Sequence, residues 1–149
     1  MMSNPIIYWF RLDLRLRNNT ALIAAYKTGK EIIPVYIYDV ENEMPEGPTS
    51  KWWLNNSLYE LSKSLDNKLL FFKGVPKTIL SNLVEKTRAD SIFWNRCYDP
   101  YSINRDSSIK EYFTDKNIEV KSFNSSLIIE PFNIKKKDGG QFKDFTPFY

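Results

Sequence analysis

The chain has 149 residues, 42% hydrophobic and 26% charged, enough for one domain with a proper core and too short for two to be expected. Its 21 basic and 18 acidic residues leave a net charge of +3, too small and too evenly spread to argue for nucleic-acid binding by itself. It contains no histidine and only Cys97, which removes His-based nucleophile pairs and general bases, most zinc sites and any internal disulfide.

In chain order, "IIYWF" (6–10) reads as a strand buried on both faces, and "TALIAAYKTG" (20–29) as a short helix stopped by Gly29. "EIIPVYIYD" (31–39) is a second strand, followed by a loop with two prolines and a glycine. Ser50 is positioned to cap the helix "KWWLNNSLYELSKSL", whose Leu54, Leu58, Leu61 and Leu65 form one apolar stripe. Trp52 and Trp53 cannot face the same way, so one is expected to cover the sheet and the other to line a pocket or interface. Strand 68–74, helix 77–87, strand 91–95, a helix from near Ser102 to about Lys116 and strand 118–123 complete the pattern. Five strands joined by four helices predict an α/β fold: a Rossmann-like, doubly wound, five-stranded parallel sheet with helices on both faces. Ligands of such sheets bind beyond the carboxyl ends of the strands, where the strand order reverses. The loops to watch therefore begin at Arg11, Asp39, Gly74, Arg96 and Asn124.

The first strand-to-helix turn, "RLDLRLRNN", has no glycine, which argues against ordinary dinucleotide binding at this turn. Two readings of it stand side by side. In one, the leucines are buried and Asp13 pairs with a neighbouring arginine; in the other, Arg11 faces the crevice and binds an anion. Lys51 is either a solvated lysine or a cation meeting an anion at its helix start. "FWNRCYDPYSINRD" (93–106) gathers Cys97, Tyr98, Asp99, Tyr101 and Arg105 around Pro100, an aromatic density that suits a flat conjugated ligand. Asp99-Pro100 also reads as a turn initiator, and Arg105 with Asp106 as a local cap and pair. With no histidine to activate it, Cys97 reads as packing. "KKKDGG" (135–140) reads as a solvated loop.

"YWFRLDLRLRNNTAL" resembles the opening signature of the DNA photolyase and cryptochrome family. "PVYIYD", "SKWWLNNSL", "FWNRCYDPY", the Arg105–Asp106 pair and "FTPFY" are similar to further family landmarks in the same order. The resemblance runs from about Ile6 to Tyr149. It implies an α/β antenna domain over residues 1–130 and the start of an interdomain linker over 131–149, ahead of a helical FAD-binding domain. Five of the last eight residues (Phe142, Phe145, Pro147, Phe148, Tyr149) are aromatic or proline, a tail expected to find its partners in that longer protein.

The family's light-driven repair of pyrimidine dimers depends on FAD in the helical domain, so repair is not carried onto these residues; no catalytic or metal-binding residue is assigned. What the resemblance implies for this chain is light harvesting by an antenna pigment: a folate, a deazaflavin or a flavin nucleotide. Folate-binding members commonly have an Asn-Glu pair where Tyr101 and Ser102 stand here, which favours deazaflavin or flavin mononucleotide. The pigment walls implied are Phe10, Arg11, Asp39, Ser50, Lys51, Cys97, Tyr98, Asp99, Tyr101, Ser102 and Arg105. Some members carry no antenna, and an empty crevice stays open as an alternative. The implied partners are the helical FAD-binding domain and, through it, damaged DNA. A cryptochrome-like signalling module and an independent nucleotide-binding domain are the competing functions. No apolar run approaches the roughly 20 residues a bilayer span needs, the N-terminus lacks a secretory pattern, and the lone cysteine suits a reducing compartment, so no membrane partner and a cytoplasmic location are expected.

Overall fold

The computed structural model describes residues 3–42 and 48–124. The proposed linker at 131–149, the basic triplet at 135–137 and the aromatic tail lie outside the described residues. Nine elements follow in order: β1 (Ile6–Phe10), α1 (Thr20–Lys27), β2 (Ile32–Asp39), α2 (Pro48–Ser64), β3 (Leu70–Gly74), α3 (Pro76–Thr87), β4 (Ser91–Asn95), α4 (Pro100–Thr114) and β5 (Glu119–Phe123). The strands form one parallel sheet in the order β3-β2-β1-β4-β5. The order reverses between β1 and β4, which pair through Ile6–Ser91, Ile7–Ile92 and Tyr8–Phe93. The expected doubly wound architecture is what the chain adopts.

Every residue of β1 and β4 is buried, as expected of central strands covered on both faces. The alternation of β1 divides the core. Ile7 and Trp9 join Trp94, Leu80, Leu83, Ile109 and Phe113 under α3 and α4. Ile6, Tyr8 and Phe10 point the other way, to Ala21 and Ala25 of α1 and Leu58 and Leu61 of α2. The leucine stripe of α2 therefore packs as the periodicity predicts. Neither Trp52 nor Trp53 covers the sheet: both are about 60% exposed and meet each other edge to face at 5.1 Å. They flank the stripe, and the leucines already fill its contact with the sheet.

Three helices open on proline, and this shifts their starts. α2 begins at Pro48, so Ser50 is its third residue and not its cap. α3 begins at Pro76. α4 begins at Pro100, two residues before the expected Ser102, with Asp99 as N-cap accepting from the Ser102 amide at 3.0 Å. Proline suits a first turn because its missing N–H has no intrahelical partner there, and its ring presets φ.

Candidate functional site

Beyond the carboxyl ends of β1, β2 and β4 lies a crevice of about 170 Å3. Its walls come from Trp9 of β1, Arg11 and Leu12 just after it, Tyr36 to Asp39 of β2, Cys97 after β4, and Asp99, Ser102 and Arg105 at the start of α4. Pleating explains the first strand's contribution: Trp9 leaves β1 on the α4 side, while Tyr8 and Phe10 leave on the other.

The floor is a caged ion network. Arg11 Nη2 donates to Asp106 Oδ2 at 2.6 Å, and Arg105 bridges Asp106 Oδ1 and Asp39 Oδ2, each at 3.1 Å. Both guanidinium groups lie over the Trp9 ring, at 4.8 and 5.0 Å from its centroid, and Arg11 also faces Trp94 at 5.6 Å. Burial disfavours the Arg105 charge, but the Asp106 and Asp39 carboxylates more than offset it and raise its pKa. The anion that Arg11 meets in this structure is Asp106, supplied by α4. Arg11 Nε and Nη1 and Trp9 Nε1 are buried without an acceptor among the described residues.

A second polar cluster shapes the β1–α1 turn. Asp13 is 5% exposed and accepts from Asn95 Nδ2 at 2.5 Å and from the Arg11 amide at 3.0 Å. Tyr8 Oη lies 2.7 Å from both Asp13 Oδ2 and Asn19 Oδ1, and donates to one at a time. Burial, reinforced by the Asp13 charge, pushes the Tyr8 phenol far above its ordinary value, so it stays a donor. Asn19 caps α1 by accepting from the Leu22 amide at 3.0 Å, and Asn95 Oδ1 accepts from the Ala21 amide at 3.1 Å. Side chains thus occupy the first amides of α1, where a glycine-rich turn would offer them to a phosphate. The burial expected of the turn's leucines is partial: Leu12 is 84% exposed at the crevice rim, while Leu14 and Leu16 pack partly against the core.

Of the residues inferred from sequence, Arg11, Asp39, Cys97, Asp99, Ser102 and Arg105 are brought together in the crevice. Tyr101 reaches it through Asp39, to which its hydroxyl donates at 2.7 Å. Tyr98 lies on the other flank of α4, its hydroxyl on Asn124 at 3.1 Å. Phe10 is fully buried in the opposite core layer. Ser50 and Lys51 are exposed on α2, and Lys51 borders a separate groove with Tyr36, Tyr38 and Phe71. Trp9, Tyr36 and Tyr38 were not singled out from sequence as wall residues. Their signal was available, since each lies in the carboxyl half of its strand.

Asp99 shows how capping sets charge. Burial alone would raise its pKa, but the hydrogen bonds from Ser102 hold it below the usual carboxylate value. Tyr101 moves the other way: burial, then the hydrogen bond to the Asp39 carboxylate, push it from 10.0 to about 12. A raised folded value means that its contribution to stability is intact below pH 10 and lost as pH rises toward 12. A phenolate absorption titration is expected to show a tyrosine ionising near 12 that disappears in Tyr101→Phe; an unchanged titration in that variant refutes the assignment.

Sheet order and switch-point crevice define a Rossmann-like α/β domain in which side chains occupy the first amides of α1. The chain belongs to the DNA photolyase family, whose model matches residues 6–149. It is 40% identical to a deoxyribodipyrimidine photo-lyase of Agrobacterium fabrum over its full length, covering 32% of that protein. It is 38% identical to Cryptochrome-1 of Arabidopsis thaliana over 96% of the chain and 22% of that protein. Among solved structures, a class III photolyase from Agrobacterium tumefaciens superposes with a TM-score of 0.92 at 40% identity, over 99% of this chain and 31% of that one. An archaeal photolyase from Sulfolobus tokodaii, described as holding two FAD molecules and implying a novel light-harvesting cofactor, gives 0.77 at 30% identity, over 97% and 33%. The chain therefore corresponds to the N-terminal domain of photolyases and cryptochromes and spans about a third or less of these relatives. No helix among the described residues is long and apolar enough to cross a membrane.

Proposed function

We propose that this domain is the antenna part of a photolyase-like protein and that the crevice beside Trp9 seats a pigment. The observation that carries the reading is the crevice itself: aromatic walls from Trp9, Tyr36 and Tyr38, an exposed Leu12 at the rim, and a charge network held in place beneath. At about 170 Å3 it is smaller than the roughly 300–1,000 Å3 of whole-ligand pockets, so it fits one end of a conjugated ring system, the rest lying across Leu12. A bound pigment supplies absorption of near-ultraviolet or blue light and passes the excitation to a flavin elsewhere. The chain's residues orient it and exclude water. Repair of pyrimidine dimers belongs, in this reading, to a helical FAD-binding domain of the same or a separate chain, which alone meets damaged DNA, and the 149 residues are inactive by themselves.

A deazaflavin or flavin mononucleotide is favoured over folate. Tyr101 and Ser102, which replace the Asn-Glu pair of folate-binding members, are committed inward to Asp39 and Asp99. The two FAD molecules described for the archaeal neighbour support a flavin-type antenna in a relative at 30% identity. Titration of the purified chain with deazaflavin, flavin mononucleotide and a folate is the test. A shifted absorption band with one of the first two supports the reading, and no band shift with any at micromolar protein removes it. The 38% identity to a plant cryptochrome favours blue-light signalling as the second reading; thymine-dimer cleavage by the longer protein separates the two.

A further inference from the structure

α3 and α4 cover the same face of the sheet, and a tyrosine joins their outer edges. Lys77, Ser81 and Glu85 recur every four residues along α3 and so share one side of it. Tyr112 and Lys116, also four apart, stand at the end of α4 and just beyond it. The Tyr112 ring packs partly on the core and edge to face on Phe113 at 5.1 Å, which fixes its direction. Its hydroxyl lies 3.1 Å from that of Ser81. The Lys77 and Lys116 ammonium groups lie 4.7 and 4.5 Å from the ring centroid. One half-buried phenol thus meets a hydroxyl and two cations along the α3–α4 seam. The Lys116 ammonium, then the Ser81 hydroxyl, stabilise the phenolate and lower the Tyr112 pKa, against burial and the Glu85 charge. The same contact raises the Lys116 pKa, so the lysine beside the phenol stays protonated.

We propose that Tyr112 is an acyl-acceptor site, a phenol that Lys116 and Ser81 activate toward small activated acyl donors. In the step, Tyr112 Oη attacks the acyl carbonyl carbon and a carbon–oxygen bond forms. The bond to the leaving group breaks, that group departs with the electron pair, and the phenol proton passes to water. The product is an aryl ester, and nothing is oxidised or reduced. Lys116, held as an ammonium, has no lone pair with which to compete for the acyl group. Rigid placement adds to the effect, because the ring is fixed by the core and its partners are already in position before a donor arrives. The seam shares no described residue with the crevice and is independent of the pigment reading.

The test is acetylation of the 149-residue chain by acetylimidazole, with the acetylated residues located by peptide mass spectrometry. Tyr26 is the internal reference: it is 78% exposed, and its side chain has no partner among the described residues. Tyr112 is the less accessible of the two, so exposure by itself favours Tyr26. Tyr112 is nevertheless expected to react about threefold or more faster, since rate follows the anion fraction, partly offset by the lower nucleophilicity of a stabilised anion. Its acetyl group is expected to leave in hydroxylamine, as an aryl ester does and an amide does not. Lys116→Met keeps the aliphatic stem and is expected to bring the rate down to that of Tyr26 or below, with its rise moved to higher pH. Ser81→Ala is expected to act in the same direction and serves equally if Lys116→Met does not fold. Tyr112 acetylation no faster than that of Tyr26, a rate unchanged in both variants, or a hydroxylamine-stable acetyl group on Lys116 in its place overturns the proposal.

Discussion

Replacing Asp106 with alanine is expected to lower the unfolding free energy by about 3–5 kcal/mol, the range found when one partner of a buried ion pair is removed. The reason is the residue left behind more than the bond lost. The Arg11 side chain is only 4% exposed, and among the described residues its one hydrogen-bonded partner is the Asp106 carboxylate at 2.6 Å. Without it a guanidinium stays locked between Trp9 and Trp94, with two further nitrogens, Nε and Nη1, already lacking an acceptor among the described residues. Arg105 is less exposed to the change because it keeps Asp39. Urea unfolding with an unchanged m-value measures the difference. A loss below about 1 kcal/mol, the scale of an exposed pair, means that water reaches Arg11 and the cage is not dry. The double variant Arg11→Met with Asp106→Leu is expected to recover most of the loss, since both charges leave together.

Asp13→Ala is the second large effect, about 2–4 kcal/mol of destabilisation from leaving buried donors without acceptors. The carboxylate serves the Tyr8 hydroxyl, the side-chain amides of Asn19 and Asn95, and the Arg11 backbone amide. Asp13→Asn is expected to cost less, because one oxygen remains to accept. The functional consequence should exceed the loss of stability. Freeing the Arg11 amide releases the backbone that carries the guanidinium into the crevice floor, so ligand affinity should fall even where the variant is fully folded. Equal affinity in the folded variant would show that the turn does not position the crevice.

Much of this was legible from residue order. The apolar runs and leucine spacing located all five strands and four helices to within a few residues, because burial patterning is a one-dimensional signal. The glycine-free turn argued against ordinary dinucleotide binding there, and in the fold the Asn19 and Asn95 side chains occupy the first amides of α1. Two helices start earlier than the sequence suggests, at Pro48 ahead of the expected Ser50 cap and at Pro100 ahead of Ser102, because a proline in each opens the first turn. In the candidate site, Arg11, Asp39 and the Cys97–Arg105 stretch could be named because they follow strand ends or share the family's landmarks. Phe10, Ser50 and Lys51 could not be sorted from them, since the face a residue takes depends on pleat and helix phase.

The sequence by itself determined the doubly wound sheet, the family and the ends of the strands where a ligand would lie, all of which follow from local pattern. Tertiary structure alone decided which charges meet. Arg11 finds Asp106 across 95 positions, and Tyr101 and Arg105 find Asp39 across more than 60. No local rule encodes such pairings, because they arise only when the switch point between β1 and β4 brings α4 over the ends of three strands.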